Sequence, residues 1–492
     1  MITRKKLNNK SIIKNYIYNV SYQLLSIILP IITTPYVSRV LGAENIGIYG
    51  YTISIVTYFI LFGSLGVALY GQRQIAYERE NKKKISITFW EIFLLRLITM
   101  SISMLIFYFT FGINGAYSKY FRILLLNMIA TITDICWFFQ GLEEFEKTVK
   151  RNIITKILSL VCVFAFVKTN QDLVIYFLIY VFSILFGNLT LWFSIPKFIE
   201  KVKLKDLYIL RHLKPTCALF IPQIAVQVYT ILDKTMIGAI IADKSEVGYY
   251  EQSDKVIRAL LTIITSLGTV MLPRIANCFA NNNKNQIIKY MKNSFNIVFL
   301  LAFPLMFGII SVSKPFVPVF FGEGYDKVSI IISILSPIIL FIGLSNVTGS
   351  QFLFPTNRQK EYTISVICGA IVNLAMNFIL IKRFGAIGAS VGTIVAEFTV
   401  TSIQLYYTRR DFEVKKLIQL SRNYLNAGLI MFGFCWILRN TINKNIISII
   451  LQVIVGGVVY TTMLVLLKDK FFEKIINKIF KILSNQKRND II

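Results

Sequence analysis

The stretch EQSDKVIR places Glu251, Asp254, Lys255 and Arg258 at i, i+3, i+4 and i+7. On a helix these positions form one stripe, with Glu251 to Lys255 and Asp254 to Arg258 at the four-residue spacing where side chains meet. The stripe lies in a run otherwise fit for lipid, as do Asp233 and Lys234 in TILDKTMIGAII, Glu91 and Arg96 further upstream, and Glu397 near the other end of the chain. A charge at the centre of a bilayer costs about 2.5 to 3.5 kcal/mol on insertion scales, so each needs a partner or a task. Counted from the outer end of its span, Arg258 lies about 15 Å deep, near the midplane. Arg96 is its counterpart by the same count in the third span. Over Arg96, Lys234, Lys255 and Arg258 the insertion cost is about 10 to 14 kcal/mol, comparable with a whole folding stability. Two environments offset it. One is a dry network of ion pairs with Glu91, Asp233 and Asp254, and the other is a water-filled cavity with positive walls. The cavity predicts an anionic passenger, and phosphate suits both the forked guanidinium and the compact ammonium.

The elements that hold these groups follow from composition. The chain has 492 residues, 55% hydrophobic and 16% charged, where soluble domains carry about 25% charged residues. The apolar residues fall into spans of roughly 20, the length of a helix that crosses about 30 Å of hydrocarbon. The alternating segments of about 10 residues that a β-barrel needs are absent. Fourteen spans fit between residues 16 and 467. A net charge of +28 would suggest nucleic acid in a soluble protein, but its distribution excludes that class here. Of the 53 Lys and Arg, 38 lie in or beside alternate segments and 8 in the intervening loops, which places both termini in the cytoplasm.

Six cysteines, Cys136, Cys162, Cys217, Cys278, Cys368 and Cys435, are far apart without C-x-x-C spacing. Neither disulfide nor metal is expected from them. His212, the single histidine, sits in a basic inner segment and reads as a surface residue. The first apolar stretch is too long for a cleavable signal core and is expected to remain as the first transmembrane helix. Pro30, Pro35, Pro222, Pro304 and Pro337 fall inside spans and are candidate kinks. The longest outer loop expected is Ser313 to Lys327, too short for a catalytic domain.

The long basic segment 196–215 divides six spans from eight. Behind it the chain echoes its beginning. VSRVLGAENIGIYGYT (Val37 to Thr52) and LDKTMIGAIIADKSEVGYYEQSD (Leu232 to Asp254) both give charge, apolar pair, Gly-Ala, acidic turn, Gly and aromatic. The expected organisation is an N-terminal six-helix lobe (1–195), the basic connection (196–215), a second six-helix lobe (216–408) and two additional helices with a basic tail (409–492). The expected fold class is therefore an all-α integral membrane protein of about fourteen transmembrane helices, with two pseudo-symmetric lobes related by an axis along the membrane normal plus two extra C-terminal helices.

The runs LPIITTPYVSRVLGAENIGIYGYTISI, YGQRQIA, LDKTMIGAI, GYYEQSDKV, MLPRIA, FPTNRQKEY and RFGAIGASVGTIVAE resemble, in order from about residue 12 to 408, the bacterial Wzx-type polysaccharide flippases. These belong to the superfamily that includes MATE exporters and the lipid II flippase. The last two spans match only in hydropathy. The resemblance implies two lobes around a central cavity that opens alternately to each side, in the bacterial plasma membrane. It also implies an oligosaccharide repeat unit on undecaprenyl pyrophosphate as substrate, destined for capsule, exopolysaccharide or O-antigen-type polymer, with membrane lipids, a polysaccharide polymerase and glycosyltransferases as partners. It implies transport without covalent catalysis or a cofactor, and leaves Na⁺, H⁺ or membrane potential as the candidate drivers. Arg39, Arg73, Arg96, Lys234, Lys255 and Arg258 are the candidate phosphate-holding cations. Asp233, Asp254 and Glu397 are candidates for charge balance or ion coupling. A MATE-like small-solute exporter is the nearest alternative, although exporters of cationic drugs favour buried carboxylates over these cations. A membrane-embedded polysaccharide polymerase is a more distant one, because it would need a large outer loop.

Overall fold

The computed structural model describes the backbone of residues 2–441 and 446–478, and side chains from residue 28 onward except 204, 221–223, 225, 226, 228, 229, 414, 415, 418, 440 and 441. Helices account for all regular structure among the described residues. In chain order they are α1 (Ile2–Ser64), α2 (Val67–Glu78), α3 (Lys82–Phe107), α4 (Ser118–Ile132), α5 (Cys136–Gly141), α6 (Phe145–Phe166), α7 (Leu173–Trp192) and α8 (Leu213–Ile240). They continue with α9 (Ser245–Ala280), α10 (Lys284–Phe321), α11 (Asp326–Leu335), α12 (Ile338–Ser345), α13 (Gln359–Phe384), α14 (Ala386–Thr408), α15 (Val414–Thr441) and α16 (Ile446–Leu466). Among the described residues, 10 helical stretches are long and apolar enough to cross a membrane. Residues 28–78 count as one of them because α1 runs through the first two expected spans.

Sequence features explain where helices stop and bend. Within α1, Gly42 has φ 76° and ψ 169°, a left-handed backbone that glycine adopts without Cβ strain, and it separates the two expected spans. Pro337 lies between α11 and α12, as a missing N–H donor dictates. Pro304, Pro315 and Pro318 instead lie inside α10. That helix continues to Phe321, so most of the expected Ser313 to Lys327 loop is helical; apolar residues carry the turn onward despite the prolines. The expected span 119–141 is interrupted at 133–135, which separates α4 from α5.

The chain forms two compact units, Met1–Gly248 and Tyr249–Ile492. In the first, α1 packs on α3, α4, α6 and α8, α4 and α6 pack on α7, and α2 packs on α3 and α5. A core of Val67, Ile75, Phe89, Ile92, Trp137 and Phe138 joins α2, α3 and α5. In the second, α13 pairs with α14, while α15 and α16 pack on each other and on α10. Many large apolar side chains point outward, among them Phe109, Ile154, Phe186, Phe378, Ile379, Val453 and Leu466. Asn127, Asn188, Gln252, Asn296, Asn373 and Gln404 are buried. Apolar outside and polar inside is the arrangement that lipid selects.

The two echoing stretches meet within the first unit. A Cβ built on Gly47 would run into the Lys244 carbonyl, and one on Gly248 would run into the Ala43 carbonyl. The Lys244 ammonium donates to the Gly238 and Ile241 carbonyls at 2.6 and 2.8 Å, which supplies a cation to the carbonyl end of α8.

Candidate functional site

The stripe on α9 forms the pairs that its spacing predicts. Lys255 Nζ lies 3.1 Å from Glu251 Oε1, and Arg258 Nε donates to both Asp254 oxygens at 2.8 and 2.9 Å. The two signs differ in depth. Glu251 and Asp254 are buried, whereas the Lys255 and Arg258 side chains are 40% and 48% exposed. A carboxylate sunk in the helix packing therefore aims a guanidinium outward through its Nε, and the two Nη groups make no bond to the described residues. That leaves the forked donor edge that matches a phosphate. Glu397 on α14 is buried and close enough for its charge to act on Arg258. Four residues before it, Thr393 shares a 3.1 Å hydroxyl contact with Tyr250 of α9.

In the first unit the candidate charges have separate surroundings. Arg39 on α1 and Arg73 on α2 are exposed, and the Arg73 guanidinium lies 5.7 Å from the centre of the Tyr70 ring. Asp233 on α8 is buried and Lys234 beside it is half-buried. Arg96 on α3 is only 4% exposed. Its Nη1 donates to the Asp134 carbonyl at 2.7 Å, one of the groups left open where α4 breaks from α5. The Trp192 indole donates to the Thr133 carbonyl at 2.8 Å, Asn188 donates to the Ala130 carbonyl at 2.5 Å, and the Asp134 carboxylate accepts the Cys136 N–H at 3.0 Å. An interrupted helix needs such donors because lipid supplies none. Arg96 thus serves backbone inside the unit and does not line an open cavity in this conformation.

His212 is not a surface residue. It is 2% exposed, its Nε2 donates to Glu91 Oε2 at 2.8 Å, and its Nδ1 accepts the Tyr70 hydroxyl at 2.7 Å. Glu91 is fully buried. It also accepts the Tyr208 N–H at 2.6 Å and Arg211 through both Nε, at 3.0 Å, and Nη2. One carboxylate on α3 thereby holds the end of the long basic connection. Burial pushes the His212 imidazole below its ordinary value, although Glu91 pulls the other way, so the neutral ring is the resident form. The surface assignment came from the basic neighbours, and the fold-back of the connection overrides it. A signal was present: Glu91 has no basic residue three or four places away on α3, so its partner had to come from elsewhere.

A further group was not anticipated. In the first unit, α1, α6 and α7 form an open cleft of about 400 Å³, to which Arg151, Lys156, Ser159, Tyr176 and Tyr180 contribute. Arg151 donates to Asn188 at 2.9 Å and lies 4.0 Å from Asp134. Leu29, Pro30, Val37, Leu160, Val163 and Ile184 also line it, so the cations, hydroxyls and tyrosine rings are set in a largely apolar wall.

Residues 218–379 match the MatE family. A putative O-antigen transporter of Escherichia coli K12 is 26% identical over 409 residues, covering 82% of this chain and 98% of that protein. A probable low-salt glycan biosynthesis flippase, Agl15, of Haloferax volcanii is 25% identical over 239 residues, covering 48% and 50%. Among solved structures, the lipid II flippase MurJ in its inward closed conformation superposes with a TM-score of 0.75 at 16% identity, covering 94% of this chain and 100% of that one. That likeness concerns the fold. Residues 12–279, more than half of the chain, match the family described as "Polysaccharide biosynthesis protein", and the chain belongs to that family.

Proposed function

We propose that the chain is a flippase that carries an undecaprenyl-pyrophosphate-linked oligosaccharide repeat unit from the inner to the outer leaflet of a bacterial plasma membrane. The unit would serve capsule, exopolysaccharide or O-antigen-type polymer assembly. The observation that carries this reading is Arg258, anchored by buried Asp254 and presenting unspent donors in a membrane helix. The transporter and flippase relatives support the class. A sugar pyrophosphate cannot cross hydrocarbon unaided, because its hydroxyls and phosphates would lose their hydrogen bonds. The prenyl tail stays in lipid while the head passes by alternating access along cation-bearing helices. In this reading Arg258 grips phosphate with Lys255 beside it on α9, and Lys234, Arg39 and Arg73 are the cations that the first unit offers to an anionic head. Asp254, Asp233 and Glu397 set the charge balance through which Na⁺, H⁺ or the membrane potential acts. The protein makes and breaks no covalent bond. The polymerase and glycosyltransferases that use and make the substrate are its expected neighbours in the pathway.

The test is a strain lacking the gene, in which lipid-linked repeat units should accumulate in the inner leaflet. Complementation with Arg258→Ala should leave transport about a hundredfold down, since charge-assisted hydrogen bonds contribute about 1.5 to 3 kcal/mol each, with normal membrane insertion. Normal polymer yield from that variant removes the phosphate-gripping role. The MatE match over residues 218–379 favours a second reading, export of a small solute. Unchanged leaflet distribution in the deletion strain together with altered solute resistance would select it.

A further inference from the structure

We infer that a basic cleft on the second unit, between the start of α10, the start of α15 and the chain that follows α16, binds the phosphate of an anionic phospholipid. The cleft has a volume of about 920 Å³, within the range of roughly 300 to 1,000 Å³ typical of ligand sites. Lys292, Lys416, Lys468, Lys470 and Lys474 line it together with the acids Asp411, Glu413 and Asp469.

The acids are committed elsewhere. Asp411 accepts Arg358 Nη1 at 2.7 Å, and Glu413 holds Lys416 at 2.6 Å. Asp469 is buried. It accepts the Tyr424 hydroxyl at 3.0 Å and the N–H groups of Phe471 and Phe472 at 3.2 and 3.0 Å. It thus caps the helical stretch 470–478, whose first N–H groups are satisfied and are no part of the site. Lys292, Lys468, Lys470 and Lys474 are exposed and form no ion pair among the described residues. Against the single carboxylate of Asp469, which has only neutral donors, four unpaired ammonium groups leave the cleft net positive and attract an anion.

The lining also names the source of that anion. Ile288, Phe412, Leu417 and Phe471 share the cleft with the lysines, so its occupant has an apolar part. Lys292 and Lys468 flank the expected spans 293–312 and 446–467, the level at which headgroups lie. Basic pockets between transmembrane helices on the positive side of a membrane protein suit acidic headgroups. Lys468 is placed by the end of α16: its φ is 51°, and the Asp469 N–H reaches back to the Leu464 carbonyl at 3.1 Å, a helix closure that turns the next residues into the cleft. The inference needs the chain to span a membrane and does not need it to move a glycolipid.

The experiment uses full-length protein in neutral detergent, titrated with cardiolipin, phosphatidylglycerol, phosphatidylcholine or inorganic phosphate. Bound lipid is counted by native mass spectrometry and thermal midpoints are followed in parallel. Anionic lipid should be retained over phosphatidylcholine and should raise the midpoint. K292Q/K470Q/K474Q should bind it about a hundredfold more weakly while keeping the wild-type midpoint in phosphatidylcholine. K201Q/K203Q/K205Q removes the same charge from the exposed connection and should leave binding unchanged. Equal loss in that control, or equal protection by inorganic phosphate without lipid, overturns the proposal. Should the triple variant fail to fold, Lys474→Gln, on an exposed side chain, reads the same site with a loss of about fivefold, and wild-type binding by it counts against the proposal.

Discussion

Arg96 on α3 and Arg258 on α9 carry the same group at matching depths in their spans, and the structure uses them in opposite ways. Arg96 is buried and donates to a carbonyl of an interrupted helix. Arg258 is fixed through one nitrogen by a carboxylate on its own helix and turns the others outward. The acids repeat the contrast. Glu91 gathers donors from a segment more than a hundred residues away, and Asp254 serves a neighbour one turn along. The buried cation whose acceptor comes from a distant part of the chain is spent on structure, whereas the half-exposed one held by a carboxylate of its own helix keeps donors unbonded. Depth alone does not decide the role.

Substitutions can break this contrast, the largest effect first. Glu91→Ala removes the acceptor shared by His212, Arg211 and the Tyr208 N–H and should cost about 3 to 5 kcal/mol, since it strands buried polar groups. Thermal unfolding in detergent would show the loss, and a midpoint near wild type would mean that the connection is held by other contacts. Arg96→Met and Arg258→Met form a crossed pair. The first should lower stability by about 1 to 3 kcal/mol by leaving the Asp134 carbonyl unsatisfied, with transport per folded molecule retained. The second, combined with Asp254→Asn so that no buried carboxylate is stranded, should leave stability nearly unchanged and lower transport about a hundredfold. The same loss profile in both variants would erase the distinction.

The smallest expected effect is on pH. Because the His212 imidazole is held below its ordinary value of about 6.5, the unfolded chain binds the extra proton first, so stability is fully present above that value and declines as pH falls below it. His212→Gln should flatten the slope between pH 7 and 5 in a thermal series, and an unchanged slope would assign the acid sensitivity to another group.

Much of this was legible in the sequence wherever the cause is local. The expected spans fall on helices, Pro337 stops one, and the Glu251 to Lys255 and Asp254 to Arg258 pairs follow from helical spacing. What escaped depends on distant partners. Glu91 and His212 meet across 121 residues, a distance at which periodicity carries no information. The break at 133–135 has neither glycine nor proline. It is stabilised by Arg96, Asn188 and Trp192, which arrive from other helices. The continuation of α10 through Pro315 and Pro318 shows the reverse: a strong local breaker signal that a proline-bearing helix overrides.

The crossing of Gly47 with Gly248 carries one last consequence. Two main chains touch there with no side chain interposed, so the contact has no rotamers to freeze and no interdigitated surface to unlock. A single added methyl group at either glycine would act as a wedge and force the two helices apart.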